Sequence, residues 1–373
     1  MTKSFLLIGN AAAPIVNFRA PLIRAIVEKG YRVSALAPDY DDQRRVEVRA
    51  LGATPVDYRL SRTGLNPLTD IKALVSLYSE LRAIRPNAVL AFGIKPAIYG
   101  PVAARLSGIP ARFALITGLG YAFTDSGQKG LKRQLIGSAA RILYKIGLQS
   151  ADRVFMQNPD DADDFVCLGI VPRNKVLTVN GTGVELDTWP AMPPVMESIT
   201  FLLAARMLRD KGIFEFVEAA RKVRSRRPDA RFVLVGDVDK NPESIGKAQL
   251  DAWVQSGIVE WPGHVDMRLW LTQTSVFVLP SYREGVPRST QEAMAMARPV
   301  ITTDAPGCRE TVVDGVNGFL VPVRDAEALA AAMLKFIDQP ESIALMGAES
   351  RKLAEQRFDT HKINAVLIEA MGL

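Results

Sequence analysis

Short apolar runs alternate with longer stretches whose apolar residues recur every three or four positions, and the alternation occurs twice along the chain. In the first half the runs are "SFLLIG", "RVSALAP", "ATPVDYR", "NAVLAFG", "ARFALITG" and "DRVFMQN". In the second half they are "ITFLLAAR", "ARFVLVGD", "GIVEWPG", "SVFVLPS", "PVITTD" and "GFLVPV". Runs of this length read as strands buried on both faces, and amphipathic stretches such as "LTDIKALVSLYSELRAIRP" supply the covering helices. The pattern predicts an α/β protein with two doubly wound, Rossmann-like domains, each built on a parallel sheet. The segment "DTWPAMPPVMES" between the halves holds three prolines, which stop any regular element, so residues 187–198 are predicted to be a linker. Such folds bind ligands outside the carboxyl ends of their strands, so a cleft faced by both domains is the expected site.

Composition adds bounds rather than detail. A chain of 373 residues suits two cores, and 48% hydrophobic with 23% charged residues is a globular composition. Cys167 and Cys308 are too few and too far apart for a disulfide framework, which points to a reducing cytoplasm. With His264 and His361 as the only histidines, a Cys/His zinc site is not expected. The opening "MTKSFLLIGN" has one lysine and a four-residue apolar stretch, better read as a first strand entering a glycine turn than as a leader. No apolar run approaches the roughly 18 residues that span a bilayer. Residues 1–196 carry 24 Lys and Arg against 16 Asp and Glu, while the remainder is slightly acidic. That asymmetry suits an anionic partner of the first domain (a membrane surface, a phosphate-bearing substrate or a nucleic acid) or only solubility. A nucleic acid is the least favoured, because the basic residues are not interleaved with aromatics.

The candidate chemistry lies in loops after strands. In "FLLAARMLRDKGIFEF", Arg206 follows a strand and Lys211 opens a helix, a placement of fixed positive charge that suits a diphosphate. In "REGVPRSTQEAM", Glu284 lies in a Gly/Pro turn after the strand "SVFVL", and Pro287 suits a first helical turn. The free amides of residues 286–289 could cradle phosphate oxygens. Glu292 could accept hydrogen bonds from ribose hydroxyls, and Glu284 from those of a sugar. A competing reading makes "STQE" (289–292) a capping box in which Glu292 serves only the helix start. "DVD" (237–239) reads as a turn rather than a metal site. Gly9 allows close backbone approach to the diphosphate, or simply ends a strand.

The two glutamates with seven residues between them, inside "REGVPRSTQEAMAMARPVITTDAPGCRETVVDGVNGFLVP", resemble the hallmark of family 4 glycosyltransferases, and the likeness extends over nearly the whole chain. These are retaining enzymes of the GT-B fold, and their diphosphate-binding Arg and Lys match Arg206 and Lys211. The first half, with "GIKPAIYG" and "ITGLGYAF", is similar to a bacterial branch that extends lipid-diphosphate-linked sugars. The resemblance implies an acceptor-binding domain over 1–186, a nucleotide-sugar-binding domain over 199–356, and a terminal helix within 357–373 packing back on the first domain. Glu284, Arg206 and Lys211 are the implied catalytic set. Gly9, Gly236, Val265, Gly285, Val286, Pro287, Arg288 and Glu292 join them in holding a UDP-sugar, and Asn17, Lys95, Thr117 and Gly118 would meet the acceptor. It further implies a metal-independent reaction with no cofactor, the UDP-sugar being a substrate. The acceptor would be a polyprenyl-diphosphate-linked saccharide at the inner face of the cytoplasmic membrane. Many members carry a histidine in the first domain. This chain has none there, and Lys95 of "GIKP" stands near its place, either to pair with an acceptor phosphate or as a surface lysine. A front-face reaction, in which the leaving phosphate takes the acceptor proton, needs no general base.

Residues 127–148 hold Lys129, Lys132, Arg133, Arg141 and Lys145, with Leu131, Leu135, Ile142 and Ile146 at roughly helical spacing. The apolar stripe predicts either a helix resting on an anionic membrane or one packed on its own sheet. Two alternatives to transfer stay open: a UDP-sugar epimerase of the same architecture, and a non-catalytic nucleotide-sugar-binding protein.

Overall fold

The computed structural model describes residues 3–61, 66–118, 131–239, 241 and 243–373, with backbone only over 131–136. Lys129 and the side chains of Leu131, Lys132, Arg133 and Leu135 therefore lie outside the described residues, as do residues 119–123 of "ITGLGYAF". The chain divides into two compact units, Met1–Thr182 with His361–Leu373, and Gly183–Thr360.

The N-terminal unit runs β1 (Ser4–Ile8), α1 (Ala12–Glu28), β2 (Arg32–Ala37), α2 (Asp42–Ala50), β3 (Ala53–Asp57), α3 (Pro67–Ile84), β4 (Ala88–Phe92), α4 (Ile94–Leu106), β5 (Ala111–Ile116), α5 (Leu131–Gln149), β6 (Arg153–Met156), α6 (Pro159–Cys167) and β7 (Val176–Thr178). Its seven strands pair in the order β3-β2-β1-β4-β5-β6-β7, and every pairing is parallel. The apolar runs explain why: β4, "AVLAF", is buried at every position, as a central strand covered on both faces must be. Local signals set the helix starts. Asn66 and Asn158 cap α3 and α6 with their side-chain oxygens, each followed by a proline whose missing N–H is not needed there. One core cluster joins Leu6, Ile8, Val89 and Tyr144, and another joins Phe5, Leu7, Leu90 and Phe155. Alternate residues of one strand thus feed cores on opposite faces of the sheet.

The C-terminal unit runs β8 (Thr200–Ala204), α7 (Ile213–Arg224), β9 (Arg231–Val235), α8 (Lys247–Gln255), β10 (Glu260–Gly263), α9 (Met267–Thr272), β11 (Val276–Leu279), α10 (Arg288–Ala295), β12 (Val300–Thr303), β13 (Gly318–Val321), α11 (Ala326–Asp338) and α12 (Glu341–Arg357). Its sheet has the order β10-β9-β8-β11-β12-β13, again parallel throughout. In both sheets the strand order reverses beside the first strand, between β1 and β4 and between β8 and β11. Loops leaving those strand pairs diverge to opposite faces and open a crevice at the carboxyl ends. The last helix, α13 (Thr360–Met371), places Ile363, Leu367, Ile368 and Met371 in the N-terminal core with Phe5 and Phe155.

Two local expectations differ from the structure and a third, left open between two readings, is narrowed by it. Strand β7 is not among the predicted runs, because three residues carry no periodicity. Residues 187–198 are not a free linker but part of the C-terminal unit. There the fully buried Arg298 donates to the carbonyls of Leu271 (2.8 Å), Met192 (2.8 Å) and Pro193 (3.1 Å), and Arg351 donates to Trp189 (2.9 Å). The prolines remove backbone donors and leave carbonyls, and two arginines bind them. Finally, α5 packs through Ala140, Tyr144 and Leu148, while Ile142 and Ile146 are 60% and 53% exposed. These two isoleucines are thus on the solvent face, not the sheet-facing one.

Candidate active site

The C-terminal unit brings Lys211 and Glu284 together at its strand-order reversal. Lys211 lies in the turn after β8 and Glu284 in the turn after β11, and their side chains pair at 2.6 Å with 13% and 16% exposure. Backbone packing fixes both turns. Gly212 has φ +70°, and a Cβ there would collide with the Pro280 carbonyl, so only glycine lets the first turn lie against the end of β11. The Tyr282 amide donates to the Asp210 carbonyl at 2.9 Å. On the other side the Glu284 amide donates to Pro306 at 3.0 Å, and Gly307 leaves no room for a side chain beneath the Glu284 carbonyl. The hydroxyls of Thr302 and Thr303 donate to the carbonyls of Leu279 and Ser281, securing the end of β11 itself.

Electrostatics shape this pair. Burial works to lower the Lys211 pKa, but the carboxylates of Glu284 and Asp210 outweigh it and hold the ammonium above its ordinary value. Asp210 is pushed the other way: burial raises its carboxyl, Lys211 pulls it down and Glu284 raises it again, for a net rise. One oxygen of Asp210 is buried without a hydrogen-bond partner, and so are single side-chain atoms of Glu215, Ser281, Thr290 and Gln291 in these turns and the helices that follow them. Buried polar atoms are ordinarily paired, so a group of them around one pair of turns is the mark of a site that something else completes.

Helix α10 supplies a second element. It begins at Arg288, with Pro287 as N-cap and no side-chain cap bond. The amides of its first turn have no intrahelical acceptor by geometry. This start also removes the capping-box reading: Ser289 and Glu292 both lie inside the helix. Glu292 instead accepts from Arg288 Nε at 2.9 Å, one turn along. Burial raises the Glu292 pKa against the pull of Arg288. Gly285, Val286 and Pro287 are buried in the turn leading into the helix.

Arg206 is 65% exposed and pairs with Asp239 at 2.9 Å. Asp239 also accepts from the Asn241 amide at 2.9 Å, so "DVD" forms a loop that meets Arg206. No group of three or more His, Cys, Asp or Glu able to hold a metal ion occurs among the described residues. Gly236 has φ +135° and sits where a Cβ would collide with the Ala205 carbonyl, which brings the ends of β8 and β9 together. Val265 is partly buried against the core around Leu279 and Val286.

In the N-terminal unit the candidates are built into the scaffold. A Cβ on Gly9 would lie 2.8 Å from the Phe92 ring, its carbonyl accepts from the Tyr58 hydroxyl at 2.7 Å, and its amide donates to Leu36 at 2.9 Å. At the start of α1, the Ala12 amide already donates to Asp39 at 2.7 Å. Lys95 is no surface lysine: it is 7% exposed and pairs with Asp70 at 2.7 Å. Burial, and after it the neighbouring Asp70 carboxylate, lift the Tyr99 pKa well above the ordinary value. Asn17 is exposed on α1, and Thr117 and Gly118 are partly buried just after β5.

The family profile "Glycosyl transferases group 1" matches residues 198–339, and the "Glycosyl transferase 4-like domain" profile matches residues 16–181. A Campylobacter jejuni relative, N,N'-diacetylbacillosaminyl-diphospho-undecaprenol alpha-1,3-N-acetylgalactosaminyltransferase, is 30% identical over 87% of this chain and 86% of its own length. This chain is a group 1 glycosyltransferase. A second relative of the transferase, the UDP-Gal:alpha-D-GlcNAc-diphosphoundecaprenol alpha-1,3-galactosyltransferase of Escherichia coli, is 26% identical over 73% of this chain and 71% of its own. Among solved structures, sucrose-phosphate synthase from Thermosynechococcus elongatus superposes with a TM-score of 0.79 at 17% identity, covering 98% of each chain. HepE from Anabaena in complex with UDP superposes at 0.77 with 16% identity, covering 99% of each. The transferase has the GT-B fold. Family membership favours group transfer over the epimerase and binding-protein alternatives.

The sequence reading missed Asp210 and the Tyr282–Glu215 contact, in which the tyrosine hydroxyl donates at 2.7 Å. Asp210 was visible beside Lys211 in "RDKG", but nothing in an isolated loop aspartate signals burial.

Proposed function

We propose that this glycosyltransferase moves a sugar, an N-acetylhexosamine or related hexose, from a UDP-sugar to a polyprenyl-diphosphate-linked saccharide with retention of anomeric configuration. The observation that carries the reading is the Lys211–Glu284 pair at the strand-order reversal, beside an uncapped helix start. Lys211, Arg206 and the first-turn amides of α10 would stabilise the negative charge that grows on the departing diphosphate. Glu284 would orient the sugar and Glu292 the ribose. The C. jejuni and E. coli relatives are both named for undecaprenol-diphosphate-linked acceptors, which supports the acceptor class. Asn17, Thr117 and Gly118 are assigned to that acceptor, whereas Lys95, expected there from sequence, is committed to Asp70. The reaction needs no cofactor and no metal in this reading, since protein cations and amides meet the diphosphate.

A membrane-bound acceptor calls for peripheral docking at the inner face of the cytoplasmic membrane. The outward Ile142 and Ile146 support it, with exposed Arg141 and Lys145 beside them and no acidic residue anywhere in α5. Apolar side chains flanked by cations bind anionic bilayers through both terms. No helix among the described residues is long and apolar enough to cross a membrane.

Thermal unfolding with UDP, GDP and ADP, on wild type and Arg206→Ala, tests the donor. Ligand at about 100 times its dissociation constant adds roughly 2.7 kcal/mol. A shift with UDP alone, reduced in the variant, is expected, and flat curves with every nucleotide would end the donor reading. Transfer from UDP-sugars to a synthetic polyprenyl-diphosphate saccharide, followed by the anomeric NMR coupling of the product, tests acceptor and stereochemistry. Sedimentation with anionic vesicles that persists in Ile142→Glu/Ile146→Glu would remove the docking proposal.

A further inference from the structure

We propose that Asp210 is a positioning residue that takes over Lys211 when the lysine leaves Glu284 for the diphosphate of the donor. The inference rests on the reading of Lys211 as a diphosphate ligand and adds a member to that site. In the structure the ammonium of Lys211 bonds Glu284 at 2.6 Å. A carboxylate that must accept sugar hydroxyls cannot also remain the fixed partner of a lysine that must turn to phosphate. The ammonium sits in a site where burial disfavours charge, so it needs a second carboxylate when the first is withdrawn.

Asp210 meets the requirements. It is the adjacent residue in the turn, and its Oδ1 is buried with no hydrogen-bond partner. It does not cap α7, whose N-cap is Gly212 with no side-chain cap bond. Its backbone cannot drift away: the Asp210 carbonyl accepts from the Tyr282 amide at 2.9 Å, and Gly212 is wedged under Pro280. The carboxyl also responds to both members of the existing pair, drawn down by Lys211 and pushed up by Glu284. An anchored carboxylate on the residue next to Lys211, with a buried oxygen left unused, is a partner held in reserve.

Calorimetric titration of UDP into wild type, Asp210→Asn, Asp210→Glu and Lys211→Met tests this, with unfolding of each unliganded protein as the control for folding. The positioning role predicts that Asp210→Asn binds UDP roughly tenfold more weakly, the scale of one charge-assisted hydrogen bond. Its unliganded unfolding midpoint should stay at or above the wild-type value. Asp210→Glu should recover part of the affinity, because it restores the charge on a longer arm. Equal or tighter UDP binding by Asp210→Asn would overturn the proposal, since removing a negative charge near a diphosphate should by itself strengthen binding. If wild type binds UDP and Lys211→Met binds it equally well, the Lys211 reading falls and the proposal falls with it. If wild type binds UDP and only Lys211→Met loses it, the donor reading stands and the Asp210 role is refuted.

Discussion

Among the described residues each unit holds one largely buried lysine–carboxylate pair, the two are of nearly the same geometry, and their surroundings differ. Lys95–Asp70 is 2.7 Å long with 8% and 10% side-chain exposure, and Lys211–Glu284 is 2.6 Å long with 13% and 16%. Around Lys95 the polar demand is closed, because no buried side-chain atom of Lys95, Asp70 or Tyr99 lacks a partner. In the turns that hold Lys211 and Glu284 and the first turns of α10 it is open, with an unused Asp210 oxygen, unpaired hydroxyl and amide oxygens on Ser281, Thr290 and Gln291, and an uncapped helix start. Distance and burial alone therefore do not separate a structural tie from a ligand site. What separates them is whether the neighbouring polar groups have somewhere to go. The first pair ties α3 to α4, and the second keeps a place that a donor would fill.

The comparison breaks most clearly in activity. Lys211→Ala is expected to lower kcat by about 10²–10³, the usual loss for one transition-state donor, with initial transfer rates as the measurement. A comparable loss for Lys95→Met at unchanged stability would dissolve the distinction. Next in size is Asp70→Ala, which strands a buried ammonium and should cost about 3 kcal/mol in urea unfolding. The joint replacement Asp70→Leu/Lys95→Met should return most of that, because a well-packed apolar pair of similar volume is often as stable as a buried ion pair. A smaller effect concerns pH. The Asp210 carboxyl has a raised pKa in the folded chain, so its contribution is most favourable when protonated and is lost as pH rises through the raised value. Asp210→Asn should then raise the unliganded unfolding midpoint at neutral pH, with the gain vanishing below the ordinary carboxylate range. The smallest effect is chemical. Burial pushes the Cys308 thiol up to about 12, whereas Cys167 is exposed, so a thiol reagent should add one label to the native protein by mass.

Most of the scaffold was legible because buried parallel strands write themselves as unbroken apolar runs. Strand β7 was not, being three residues long and defined by its neighbour β6 rather than by its own pattern. The donor-site residues were legible for a similar reason: charges and glycines crowded into short turns after apolar strands lie where doubly wound sheets hold their ligands. What sequence could not supply was partnership. "STQE" carries a capping-box pattern, yet the helix starts at Arg288 and gives Glu292 a different partner. Lys95 resembles any surface lysine because its counter-charge stands 25 residues away. Ile142 and Ile146 share a helical stripe, but spacing does not say which stripe faces the sheet. Tyr144 and Leu148 decide that, being larger or better placed against α4 and β6. The proline-rich segment reads as free because its anchors, Arg298 and Arg351, lie more than a hundred residues downstream.

The return of α13 to the first unit has a consequence for biosynthesis. Residues 1–182 leave the ribosome long before residues 361–373, yet Ile363, Leu367, Ile368 and Met371 belong to the same core as Phe5 and Phe155. The second unit has no such dependence and can close once Thr360 is free of the exit tunnel. The half that is translated first is therefore the half that finishes last. Until residues 361–373 emerge it carries an uncovered apolar strip, a state in which a nascent chain invites chaperones or misassociation.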